Sequence, residues 1–302
     1  MEGDIKLENE RIALWGPMSS GKTSLFHALI KKLAFLNNTD GDFYYEAINP
    51  ETNFTYSVKE AEKPPPPNSW KITDDIIIVS RIPKNSGQYY GTSFDFNFRH
   101  HIHLQDYQGQ YAVETASDHI NTVLNSKNII VTIDCARYDE YTDNLLVGLR
   151  RRLEEDKQHS KFRVVFCITK IDSFADTIPI NPKEDRVEGG TPLAFLNNNV
   201  DIKLRDIAQQ IQIFEGNQGK FECKSFFTSS VGVMATPEKQ IANFNGTWVK
   251  DLNKWNPTGV TKPFFWIFDK VEEEYINKKK KNEPFFAKFR NQEIKRIPWY
   301  RG

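Results

Sequence analysis

Short apolar runs alternate along the chain with longer stretches whose apolar residues recur every three or four positions. Ile12–Trp15 reads as a buried strand, and Thr23–Leu36 sets Leu25, Phe26, Leu29, Ile30, Leu33 and Leu36 at helical spacing. Asp40–Asn68 is polar and irregular and closes on Pro64–Pro67, which neither a helix interior nor a central strand tolerates. Ile76–Ile82 is strand-like. Phe94, Phe96 and Phe98 alternate with polar residues and Ile102 and Leu104 alternate after them, so a β-hairpin turning near Arg99–His101 is expected. Apolar Asn128–Cys135 and Arg163–Thr169 flank a helical pattern over Asp139–Lys157, and a helix–strand pair follows at Asp201–Phe214 and Phe221–Ser230. Lys262–Asn277 carries Phe264, Phe265, Phe268, Val271 and Tyr275 on a last helical pattern.

This alternation of apolar strands with helices predicts an α/β fold, a doubly wound and mostly parallel sheet. At 302 residues, 39% hydrophobic and 26% charged, the chain can bury a sizeable core and is not disordered, collagenous or disulfide-stapled. Its longest apolar runs, four to six residues, fall far short of the ~18 that a membrane helix needs, so no transmembrane segment is expected. The opening MEGDIKLENE lacks the basic and apolar regions of a secretory signal, and Cys135, Cys167 and Cys223 lie far apart. Reduced thiols in a cytoplasmic protein are the expectation.

Candidate chemistry begins where the first strand meets the first helix. Gly16-Pro-Met-Ser-Ser-Gly-Lys-Thr23 fits G-x-x-x-x-G-K-S/T, with Ser24 following it. In such a loop the glycines let backbone N–H groups of Gly16, Ser19, Ser20 and Gly21 wrap phosphates, and the helix N-terminus adds a favourable dipole. Lys22 would reach the β- and γ-phosphates and the Thr23 hydroxyl would ligate Mg²⁺. Three further motifs follow in order. Asp106-Tyr-Gln-Gly109 comes after Ile102–Leu104 and fits D-x-x-G, Thr169-Lys-Ile-Asp172 ends a buried strand and fits N/T-K-x-D, and Thr228-Ser-Ser230 ends the last strand.

Four motifs in this order resemble a Ras-like P-loop GTPase of the translation-factor-related class, over about residues 11–232. Residues 128–172 and Trp255-Asn-Pro-Thr-Gly-Val260 are similar, more loosely, to the double-GTPase-like group of bacterial conflict systems. The resemblance implies P-loop GTPase topology, GTP or GDP as ligand, Mg²⁺ as cofactor, and a switch that acts on an effector or regulator protein. Asp172 would accept two hydrogen bonds from the guanine N1–H and exocyclic amine, where adenine would leave it unpaired. Thr169, Lys170, Ser229 and Ser230 would complete the base pocket, with the aliphatic stem of Lys170 against the ring. Asp106 would hold Mg²⁺ through water, and the Gly109 N–H would meet the γ-phosphate. Gln110 would orient the attacking water, with Lys22 stabilising charge.

The chain departs from the family pattern in two places. Met18 stands where the P-loop often carries glycine, which points to slow hydrolysis without a partner and leaves open a GTP-binding module that hydrolyses little or nothing. Lys22 and Asp106 are separated by 83 residues, so the switch I threonine that would add a second hydroxyl to Mg²⁺ is either Thr92, the preferred candidate, or Thr73. No arginine lies within five residues before either one.

These motifs and patterns divide the chain into a domain over residues 1–277, with insertions at about 40–92 and 232–261, and a tail over 278–302. His100, His101 and His103 lack a cysteine or carboxylate to complete a metal set and read as a polar strand face. Arg150-Arg-Arg152, followed by Glu154-Glu-Asp156, reads as a solvated, locally paired helix face. Forty basic and forty acidic residues exclude a chain that is basic throughout. The balance is uneven, however. Residues 278–302 carry six Lys and three Arg against two Glu, a net +7, interleaved with Phe285, Phe286, Phe289, Trp299 and Tyr300. That tail suits an anionic membrane or nucleic acid, or equally the acidic remainder of the chain or a partner protein.

Overall fold

The computed structural model describes residues 5–17, 19–39, 43–49, 54–55, 75–83, 98–104, 123–174, 180–181, 186–187, 192–199, 201–230 and 257–282. They form β1 (Ile5–Trp15), α1 (Lys22–Thr39), β2 (Phe43–Asn49), β3 (Phe54–Thr55), β4 (Asp75–Pro83), β5 (Phe98–Leu104) and β6 (Asn128–Asp134). There follow α2 (Glu140–Glu155), β7 (Phe162–Thr169), a 3₁₀ turn (Ile171–Phe174), β8 (Ile180–Asn181), β9 (Arg186–Val187), α3 (Pro192–Asn197), α4 (Ile202–Gly216), β10 (Phe221–Phe227) and α5 (Lys262–Asn282). One sheet takes eight strands in the order β10-β7-β6-β1-β5-β4-β2-β3. Strands β10, β7, β6, β1 and β5 are parallel, and β4, β2 and β3 continue the sheet antiparallel. This is the doubly wound, mostly parallel architecture expected of a P-loop GTPase.

Strand periodicity explains the two-sided core. Successive side chains of a strand point to opposite faces. Ile12, Leu14, Ile130, Val165 and Cys167 therefore lie on one face, packed with Leu25, Leu29 and Leu33 of α1 and Phe264, Ile267, Phe268 and Val271 of α5. Ala13, Trp15, Ile129, Val131, Ile133, Val164, Phe166 and Ile168 take the other face, under Leu146, Leu149 and Leu153 of α2 and Leu204, Ile207, Ile211 and Phe214 of α4. Helix starts are locally encoded. The Asp139 carboxylate accepts from Thr142 N at 2.9 Å and that of Asp201 from Lys203 N at 2.9 Å, so each caps an N-terminal turn. Arg150 pairs with Glu154 at 3.3 Å one turn along α2.

Two sequence expectations are corrected. No turn breaks Arg99–His101, because β5 is one continuous strand laddered to β1 on one side and to β4 on the other. Both ladders engage the backbone there, which polar composition does not reveal. The hairpin partner is β4. Within Asp40–Asn68, Phe43–Asn49 and Phe54–Thr55 are strands that extend the sheet. Tyr45 is buried and stacks on Phe265 of α5, ring centroids 5.4 Å apart, so a polar neighbourhood concealed a core position.

Helix α5 is fastened at the end of the sheet remote from the strand C-termini. Glu274 receives Lys127 Nζ at 2.9 and 2.7 Å and pairs with Arg163, the second residue of β7. Arg163 also lies 3.6 Å from Glu222 of β10, which Lys270 meets at 3.2 Å. Partial burial raises the Glu274 carboxyl, but the Lys127 and Arg163 hydrogen bonds and charges outweigh it and hold the group down at about 2. A carboxyl with a depressed folded-state pKa stabilises the fold above its ordinary value of 4.5, and that contribution disappears as pH falls towards 2. Glu274→Gln is expected to lower stability near neutral pH by ~1–2 kcal/mol, the group being partly exposed. Urea unfolding across pH checks this: the gap from the parent should narrow below pH 4.5, and a gap independent of pH would contradict it.

Candidate functional site

The C-terminal ends of the parallel strands bring three segments of chain together. β1 ends at Trp15 and runs through residues 16–21 directly into α1. The first helical hydrogen bond runs from Leu25 N to the Gly21 carbonyl at 2.7 Å, and Ser20 N reaches the Pro17 carbonyl at 3.2 Å. The N-terminus of a helix presents its first-turn amides outward, and no acidic residue in the first turn of α1 offsets that positive end. Lys22 is 2% exposed, and its ammonium donates to the carbonyls of Gly16 and Pro17 at 2.9 and 2.8 Å. A positive charge is thus held inside the loop, beside the open end of a helix. The set can receive a phosphate-like anion.

The two glycines of the loop are required for different reasons. A Cβ on Gly16 would lie 2.2 Å from Thr132 Oγ1 and 2.6 Å from the Thr132 carbonyl oxygen, so the loop is pressed against β6. At Gly21 the nearest neighbour, Thr169, would be an ordinary 3.6 Å away, but φ is +92°. Ser19 takes φ 61°, an uncommon conformation for a residue with a side chain. Ser20 and Thr132 hydroxyls meet at 2.6 Å, and Thr132 Oγ1 lies 3.3 Å from the Trp15 carbonyl. Thr169 Oγ1 is 2.7 Å from the Ser20 carbonyl and 3.1 Å from that of Ile133, and its single proton favours the nearer. The ends of β6 and β7 therefore hold the loop from beneath.

Next to this loop, Lys170 adopts φ 60° and its ammonium pairs with Asp134 at the end of β6. Asp134 also accepts from Ala136 N at 3.0 Å. The pair anchors a lysine whose backbone conformation costs about 1–2 kcal/mol for a residue with a Cβ. Asp172, in the 3₁₀ turn, accepts a 2.6 Å hydrogen bond from Ser229 Oγ beyond the end of β10. Burial pushes its carboxyl up from the usual 3.8. Asp134 reinforces that shift, while Ser229, a backbone N–H and Lys170 oppose it. Cys135, also at this edge, donates to the Thr169 carbonyl at 2.9 Å. Burial and the charges of Asp134 and Asp172 push its thiol far up.

Of the residues expected from sequence, Gly16, Ser19, Ser20, Gly21, Lys22, Thr23 and Ser24 lie on the loop and first turn of α1. Thr169, Lys170, Asp172, Ser229 and Ser230 gather at the ends of β7 and β10. Thr92, Thr73, Met18, Asp106, Gly109 and Gln110 lie outside the described residues, as does the tail beyond 282; β5 ends at Leu104, two residues short of Asp106. Sequence reasoning missed Thr132 and Asp134. Their signal was present as polar residues inside the apolar run Asn128–Asp134, each 7% exposed or less.

No protein-family model matches this sequence, and no curated protein matches it. Among solved structures, the chain is similar to nucleolar GTP-binding protein 1 of Plasmodium falciparum, at 12% identity over 93% of this chain and 95% of that one, TM-score 0.36. It is also similar to the SRb-GTP/SRX complex of the signal recognition particle receptor from Chaetomium thermophilum, at 16% identity over 76% and 94%, TM-score 0.39. These overlaps are loose, and the fold stands on its own strand order.

The packing at Gly16 can be tested directly. Gly16→Ala drives a methyl group into the Thr132 backbone and should destabilise by at least ~2 kcal/mol. Gly21→Ala, with space but a strained φ, should cost only ~1 kcal/mol. Urea unfolding of the two variants decides the order, and equal losses would show that the loop does not press on β6.

Proposed function

We propose that this chain is a cytoplasmic, Mg²⁺-dependent GTP-binding protein that hydrolyses GTP to GDP and phosphate and switches a partner protein between two states. One observation carries the reading: a phosphate-type loop and an aspartate with its serine donor, Asp172 and Ser229, share one edge of the sheet, bridged by Thr169. Loop amides and Lys22 bind the phosphates, and Asp172 selects the base by accepting its N1–H and exocyclic amine. The Lys170 stem covers the ring, with Asp134 holding its ammonium. Ser230 lies half-buried beside that pocket.

Thr23 and Ser24 sit on the first turn of α1, next to Lys22. The Thr23 hydroxyl is an oxygen donor of the kind Mg²⁺ accepts, and Asp106 and Thr92 would add a carboxylate and a second hydroxyl. When bound, the ion neutralises charge on the β- and γ-phosphates. Lys22 stabilises negative charge on the γ-phosphoryl group during in-line attack, and Gln110 orients the water. Gly109 links the γ-phosphate to the movement of its loop, which is the switch. Met18 at the third loop position makes unassisted hydrolysis slow. The basic aromatic tail supplies a contact to an anionic membrane, a nucleic acid or a partner protein. Among the described residues no helix is long and apolar enough to cross a membrane.

Titration calorimetry with GDP and ADP tests the base assignment, and equal affinities would sink it. Asp172→Asn should weaken GDP at least ~100-fold and strengthen xanthosine diphosphate, since the exchanged amide turns one acceptor into a donor. Hydrolysis has a separate test in single-turnover phosphate release, where Gln110→Leu should slow the rate ~10²-fold or more. No release from the parent chain would leave a GTP-binding module that acts by occupancy alone.

A further inference from the structure

The serine that faces Asp172 is held from two directions. Its hydroxyl donates to Asp172 Oδ1 at 2.6 Å. Its backbone exchanges two hydrogen bonds with Thr258, Ser229 N to the Thr258 carbonyl and Thr258 N to the Ser229 carbonyl, each 2.9 Å. This is an antiparallel bridge between the end of β10 and the approach to α5, with residues 230–257 between the two in sequence. Ser229 is 0% exposed and Thr258 4%, so water does not compete for these bonds.

The next residue fixes how closely the two chains run. Gly259 has φ +71°, and a Cβ there would lie 2.1 Å from the Phe227 carbonyl oxygen and 3.6 Å from Thr228 Cα. The chain therefore crosses the Phe227–Thr228 peptide nearer than any side chain permits. Val260 follows, fully buried in the core with Phe264 and Ile267. One end of the segment is thus rooted in the core beneath α5, and the other grips Ser229.

We infer that Thr258 and Gly259 are positioning residues for guanine selection, a clamp that fixes Ser229 and through it the Asp172 carboxylate. The inference rests on the guanine reading above. A carboxylate that accepts two N–H groups from a base must present both acceptors in the plane of that base, and a rotation about its side chain removes one of them. Ser229 Oγ restrains that rotation only while its own backbone stays in place. On the β10 side the ladder holds Thr228, whose N–H donates to the Ile168 carbonyl at 2.8 Å, and the bridge to Thr258 extends that restraint to Ser229 itself. Burial already favours the protonated form of Asp172, in which one of the two acceptor oxygens becomes a donor, and the Ser229 hydrogen bond opposes it.

The readout is the ratio of dissociation constants for inosine diphosphate and GDP, which differ by the exocyclic amine that Asp172 accepts. In the parent chain the ratio should be ~10–100. Gly259→Ala lifts the segment off Phe227 and should reduce it at least ~5-fold. Val271→Ala, which opens the core under α5 away from that segment, should lower stability and leave the ratio unchanged. Should Gly259→Ala not fold, amide hydrogen exchange on the parent chain decides: binding is reciprocal, so GDP must slow exchange at Thr258 as well as at Ser229. A parental ratio retained in folded Gly259→Ala, or a Thr258 amide indifferent to GDP, overturns the clamp alone. A parent chain that binds inosine diphosphate and GDP equally overturns the guanine reading and the clamp together.

Discussion

The hydrogen bond from Thr169 Oγ1 to the Ser20 carbonyl joins the two halves of the candidate site. Ser20 belongs to the loop between β1 and α1, and Thr169 ends β7, two strands away across β6. A loop of glycines and serines gains little from side-chain burial and must be held by its backbone groups. Here the fastening comes from beneath, through Thr169 to Ser20 and through Thr132 to Ser20 and Trp15. The same strand end that carries Lys170 and Asp172 therefore sets the height of the loop. Spacing between the loop and the turn that carries Asp172 becomes a property of sheet register, which is rigid, rather than of loop conformation, which is not.

Much of this was legible in the sequence, and the legible parts share a cause. The loop could be read because its constraints act within a few residues: a contact too close for Cβ at Gly16, a positive φ at Gly21, a lysine beside them. The parallel strands could be read because burial on both faces leaves continuous apolar runs. What stayed hidden depends on pairing between distant segments. Strand β2 was concealed by polar neighbours until Tyr45 met Phe265, and Arg99–His101 looked like a turn until β1 and β4 laddered its backbone. Asp134 has no meaning until β6 and β7 lie in register, with Asp134 opposite Thr169 and next to Lys170. The Thr258–Gly259 approach depends on contacts across residues 231–256, and no local pattern announces it.

The balanced charge of the chain also takes on a different meaning. With +7 concentrated in residues 278–302, residues 1–277 carry a net −7. A field of that sign opposes an incoming anion at long range, though salt screens it beyond about 10 Å. Anion binding in such a domain has to come from short-range devices. The buried ammonium of Lys22, the helix end with no acidic residue in its first turn, and the loop amides are all of that kind. Short-range devices also discriminate by shape, where a general positive field would attract any polyanion.

Helix α5 connects this chemistry to the part of the chain that carries the surplus positive charge. Its first turns close the core under α1, and Glu274 ties it to Lys127 and Arg163 at the far end of β6 and β7. Its N-terminal approach grips Ser229, and it runs on to Asn282, through Lys278–Lys281. The approach to this helix thus meets Ser229, and its other end enters the basic segment. The Glu274 ion pairs and the buried phenylalanines resist sliding of the helix on the sheet, so a force on its basic end meets those contacts before it reaches Ser229. Anchoring of this sort opposes the passage of movement from the basic end of α5 to Ser229. A shift of the helix along the sheet has to break the Glu274 contacts with Lys127 and Arg163.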